Sequence, residues 1–237
     1  MIVPCAPTGP SVHSRMPHAP TGVVVAEVAI FAVPVLAAIV FHEVAHGAVA
    51  YALGDPTAAR AGRLTLNPIP HIDPIGTVLL PLVLFVVPLF LGTRPFLFGY
   101  ARPVPVDYRQ LRWLRPGAVL VALAGPVTNL LLALVSALAL AAMPRSPGHT
   151  SSLTGALRLM ATVGIEINCI LAVFNLLPIP PLDGGRVLAA LLPRRPALLL
   201  GRLEGLGFVL VLLVVMNSSI VARLVQPLLR FFLGIGG

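Results

Sequence analysis

The chain has 237 residues, 57% of them hydrophobic and only 10% charged, whereas a soluble domain of this size carries roughly 25% charged residues. Its sixteen basic residues are all arginines and outnumber eight acidic ones, for a net charge of +8. They lie in short segments between apolar runs and not among interleaved aromatics, a pattern that suits anionic lipid surfaces and excludes nucleic acid as a partner.

Residues 1–22 hold five prolines and no apolar core. They read as a disordered tail and lack the charged start and apolar run of a signal peptide. Residues 23–53 are long enough to cross a bilayer, contain Pro34, and stop at Gly54 and Pro56. A polar connection follows, in which GRLTL (62–66) alternates as a short strand does. An exposed edge there would pair with an unwound peptide; the plain alternative is a surface hairpin. Residues 75–92 are apolar but carry Pro81 and Pro88, so a hairpin or re-entrant segment competes with a clean span.

A basic stretch, 94–116, leads to two strong spans, 117–143 and 153–177. The sequence PIPPLDGGR breaks the second, 184–195 reads as a short surface helix, and 197–233 is long enough for two spans interrupted near MNSS (216–219). The expected architecture is all-α and polytopic: five to six transmembrane helices in the cell membrane, with a membrane-associated hairpin or short β-sheet after the first. The segments 54–72, 94–116 and 183–196 carry two, five and three arginines against one in 144–152. The positive-inside bias therefore puts the three richer segments in the cytoplasm. Cys5 and Cys169 form no CxxC pair, so neither a disulfide framework nor a thiolate metal site is indicated.

The first span contains the chemistry. In IVFHEVAHGAVA (39–50), His42 and His46 stand four apart and share one helix face. Neutral imidazoles at that spacing reach one tetrahedral Zn²⁺, and Glu43 between them sits beside a metal-polarised water as its base. A carboxylate inside an apolar span costs about 2.5–3.5 kcal/mol to insert, so it marks function by default. Catalytic zinc takes a third protein ligand. Asp55 is too near to swing back over its own helix, and Glu166 lies mid-span without a chain break. Asp183, in FNLLPIPPLDGG, follows a backbone unwound by prolines and is the third candidate; capping the helix that follows is a compatible role.

These residues resemble the site-2 proteases, zinc-dependent intramembrane metalloproteases, through most of 35–192. HEVAH matches the family's HExxH; FNLLPIPPLDGG matches NxxPxxxxDG with Asn175, Pro178, Asp183 and Gly184; GPVTN (125–129) matches a GxxxN segment. GDPTAARAGRLTLNPIPHIDPIGT and FGYARPVPVD are similar to the small prokaryotic subgroup without PDZ or CBS domains.

The resemblance implies one domain over 23–237, with a core at 35–192 and C-terminal helices at 197–233. It further implies one zinc per chain on His42, His46 and Asp183, Glu43 as catalyst, and transmembrane protein substrates cut within or near the bilayer. Asn129 and Asn175 are expected to position substrate or stabilise an oxyanion; hydrogen bonding between helices is the competing role. His71 stands alone and reads first as structural, with contact to substrate or a second metal as its alternatives. Two other functions compete: a transporter or channel for protons or metal ions, and a zinc-binding protein that holds membrane clients without cutting them.

Overall fold

A computed structural model describes residues 21–90, 99–144, 153–202, 204–216 and 218–237. Among the described residues three helices are long and apolar enough to cross a membrane: Ala29–Ala52 within α1 (Thr21–Ala52), α4 (Leu114–Ala142) and α5 (Leu153–Asn175). Between the first two lie α2 (Thr57–Arg60), a π-helical turn Pro74–Leu79 and α3 (Leu80–Phe90). After α5 come α6 (Asp183–Leu191), α7 (Arg194–Arg202), α8 (Glu204–Met216) and α9 (Ser218–Gly236).

The hub is α4, which packs against α1, α5, α6 and α9. Its buried face is mostly small: Gly117, Ala122, Gly125, Ala133 and Ala137. Small residues let helix backbones approach closely where lipid offers no hydrophobic driving force for association. Ala133, Ala137 and Leu140 meet Ile165 and Cys169 of α5 and Val225 and Phe232 of α9 in the main apolar cluster. A second cluster joins Ala50 of α1 to Leu111 and Val121.

Several expectations change here. Among the described residues there is no strand: GRLTL forms turns and bends, because the four residues after the left-handed Gly62 (φ +65) find no backbone edge to pair with. No hairpin interrupts 74–90, where the π-helical turn runs directly into α3. Asp73 caps that start, accepting from Ile75 N–H at 3.0 Å and Gly76 N–H at 2.7 Å. Among the described residues three helices meet the length and apolarity of a crossing, three of the five to six expected. The described residues of the C-terminal stretch are helical, as α7, α8 and α9, and the expected interruption at MNSS centres on residue 217, which lies outside the described residues. The expected tail over 1–22 lies outside the described residues except for Thr21 and Gly22, which open α1.

One irregular segment matters for the site. Residues 99–107 lie across the end of α1 as a strap, tied down at alternate backbone N–H groups. Tyr100 donates to the Gly76 carbonyl at 3.0 Å, Arg102 to the His71 carbonyl at 2.9 Å, and Val104 to Glu43 Oε2 at 2.8 Å. Asp107 N–H then reaches Asp55 Oδ2 at 2.7 Å. Asp55, fully buried just past α1, also accepts from Thr57 N–H at 2.9 Å and from the Thr57 hydroxyl. Pro103 and Pro105 occupy intervening positions, where a donor would point away from the protein.

Candidate metal centre

His42 and His46 of α1 and Asp183 at the start of α6 converge and are all buried. His42 Nε2 and His46 Nε2 are 3.1 Å apart, and each is 3.2 Å from Asp183 Oδ2.

The protons of this cluster follow from its neighbours. The Val121 carbonyl can only accept, so His46 Nδ1, 2.6 Å away, carries the hydrogen. Asn129 Nδ2 donates to the Ala38 carbonyl at 3.2 Å and to Asn168 Oδ1 at 2.8 Å. That fixes the orientation of the amide, so its oxygen faces His42 Nδ1 at 2.6 Å and accepts from it. Both neutral imidazoles therefore turn a bare Nε2 lone pair inward. Asp183 Oδ2, buried and without a hydrogen-bond donor, completes three acceptors facing one point.

Three buried acceptors at such separations repel unless a cation lies among them. Tetrahedral ligation at about 2.0–2.1 Å sets ligand atoms roughly 3.3–3.4 Å apart, close to the observed 3.1–3.2 Å. The donor set, two imidazoles and a carboxylate, is one that suits catalytic zinc. The residues present fit the metal.

Local sequence explains the convergence. A Cβ on Gly125 would lie 2.5 Å from His42 Cε1 and from His46 Nε2, so only glycine lets α4 back onto the imidazoles. On α6, a Cβ at Gly184 would strike the Leu176 and Leu177 carbonyls, and one at Gly185 would come within 2.5 Å of Pro180 N. The two glycines thus seat the first turn of α6 in the broken 176–180 segment and bring Asp183 inward. Leu182 takes the N-cap position without a side-chain bond, so Asp183 is free of the capping role. Arg186 Nη1 lies 3.7 Å from the other Asp183 oxygen, Oδ1. Near this pair the Tyr108 hydroxyl is buried without a hydrogen bond. Burial raises its pKa, against the lowering influence of the Arg186 charge.

The remaining expected residues divide. Glu43 is half-buried next to the ligand histidines in sequence, with Oε2 held by Val104 N–H. Asn129, fully buried, spends both N–H groups on protein acceptors and has none left for an oxyanion. Asn175 donates to the Leu171 carbonyl of its own helix at 3.0 Å. His71 lies outside the cluster, its Nε2 3.0 Å from the Thr65 carbonyl. Glu166 is exposed on α5. Sequence reasoning passed over Asn168, an intramembrane amide that its polarity alone flags. It also passed over the backbone groups of Val121 and Val104, which no residue-type signal marks.

A buried two-histidine, one-carboxylate centre walled by apolar helices defines a membrane metalloenzyme. Comparison with known proteins gives its kind. The model for "Peptidase family M50" matches residues 143–216. The chain is 39% identical over 190 residues to "Putative zinc metalloprotease YwhC" of Bacillus subtilis (strain 168), covering 80% of each chain. It is 30% identical over 187 residues to "Putative zinc metalloprotease Rip2" of Mycolicibacterium smegmatis (strain ATCC 700084 / mc(2)155), covering 78% of this chain and 66% of that one. No solved structure matches. The chain belongs to peptidase family M50, the site-2 protease family, and is a zinc metalloendopeptidase of the membrane.

Proposed function

We propose that the protein hydrolyses peptide bonds of transmembrane protein substrates within or near the bilayer, using one zinc held by His42, His46 and Asp183. The observation that carries this reading is the convergence of three buried lone-pair atoms, His42 Nε2, His46 Nε2 and Asp183 Oδ2, with their protons committed elsewhere. His46 lies six residues before the end of α1, about 9 Å along the helix axis, so cleavage takes place below one membrane face. The arginine-rich connections make that face the cytoplasmic one of a multi-pass cell-membrane protein. Residues 23–237 act as one domain, with the shorter helices completing five or six crossings.

Bound zinc supplies a Lewis acid that polarises the scissile carbonyl and acidifies the attacking water. Glu43 takes the proton from that water and returns it to the leaving amine. Its anchored Oε2 leaves Oε1 for this exchange. Asn129 holds the His42 ring in its ligating tautomer, and the Val121 carbonyl does the same for His46. Asn175 and His71 serve structure.

The test is cleavage of a panel of transmembrane peptides by the purified full chain in nanodiscs, with and without a chelator. Cleavage that stops on chelation, returns with zinc and is absent in Glu43→Gln supports the reading. Equal cleavage by Glu43→Gln overturns it.

A further inference from the structure

Beside the base is a basic groove of about 480 Å³, walled by the 61–63 turn and Pro70 on one side and by Arg102, Pro103 and Pro105 of the strap on the other. Arg63 is only 8% exposed. Its Nη1 donates to the Pro70 carbonyl, one acceptor for a guanidinium with five donors. Among the described residues, neither Arg63 nor Arg102 has a carboxylate within 4.0 Å. Burial lowers the Arg63 pKa and the like charge of Arg102 lowers it further, against the smaller raising influence of the Glu43 carboxylate. Such a pair of cations facing one opening calls for an anion.

The position of the groove points to the source of that anion. The wall residues Pro103 and Pro105 flank Val104, whose N–H holds Glu43. Their side of the strap offers carbonyl acceptors and no N–H donors. A peptide lying there donates its own N–H groups to the strap and meets the guanidinium groups with an acidic side chain, with the base held on the other edge of the same strap. A lipid phosphate would satisfy the charges but has no use for the acceptor edge.

We propose that the Arg63–Arg102 groove is a substrate subsite that binds an aspartate or glutamate side chain near the scissile segment. This rests on the peptidase reading above.

The experiment measures binding of fluorescein-labelled transmembrane peptides to full-length Glu43→Gln in phosphatidylcholine nanodiscs. The probes carry a single Asp, or Asn, scanned through the juxtamembrane positions. At one or two positions the Asp peptide is expected to bind about tenfold tighter or more, as a charge-assisted pair gives. Arg102→Gln, an exposed change, brings that ratio below about twofold; Arg102→Lys keeps part of it. With the wild-type enzyme the same pairs differ in KM and share kcat. A ratio near one at every position, or one that survives Arg102→Gln, overturns the subsite. Loss of the preference when phosphatidylglycerol is added also overturns it, assigning the groove to lipid phosphate. If Asp peptides are preferred but the wild type cleaves none, the subsite stands and the peptidase reading falls.

Discussion

His42 Nδ1 donates to Asn129 Oδ1 across 2.6 Å, and the Asn129 amide is in turn oriented by the Ala38 carbonyl and Asn168. The chain of partners runs from α1 to α4 to α5, so the tautomer of a metal ligand is set by two other helices. Asn129→Ala removes this acceptor and lowers zinc affinity by about 10–100-fold, read by competition with graded chelator. Asn168→Ala acts one step further out and lowers affinity less.

Gly125→Ala puts a methyl against both imidazoles. Alanine favours a helix by about 1 kcal/mol over glycine, so helical content by circular dichroism is expected to hold or rise. Zinc per chain falls all the same. A variant with full zinc would show that α4 yields at this contact.

Val104→Pro removes a single N–H from the strap and from Glu43, within a run that already holds Pro103 and Pro105. Mispositioning a catalytic group costs about 100-fold, so kcat on a cleavable transmembrane peptide drops on that order while zinc content stays full. Val104→Ala, which keeps the N–H, controls for the buried side chain and retains most of the rate.

Asp55→Ala strands the half-buried Thr57 and Asp107 N–H groups. Leaving such donors unmet costs about 1–3 kcal/mol, seen as a lower thermal unfolding midpoint. Asp55→Asn keeps one acceptor and is expected to fall between the two. Both leave the three ligands untouched, so zinc is retained at low temperature.

How much of this was legible in the sequence depends on where the information resides. The ligand pair was legible because a four-residue spacing is itself a geometry on a helix. Asp183 was legible because a carboxylate on a proline-broken membrane segment needs a reason to be there. Asn129 was found with two roles left open, and its partners Ala38, His42 and Asn168 are those of hydrogen bonding between helices, which a motif marks as an amide but only packing assigns. The strand at GRLTL failed since alternation over five residues is a statement about faces, and pairing needs a second edge that the fold does not supply. Of the five to six expected spans, three are long and apolar enough to cross by themselves among the described residues, and the other candidates are shorter helices.

Asp183 follows His46 by 137 residues, and this separation has a meaning in time. At about 5–20 residues per second of synthesis, the histidines enter the bilayer roughly 7–27 s before their third partner is made. Throughout that interval the nascent chain carries half a centre, and a ribosome that stalls before α6 releases a peptide with no finished site. The enzyme is silent until α6 has been made.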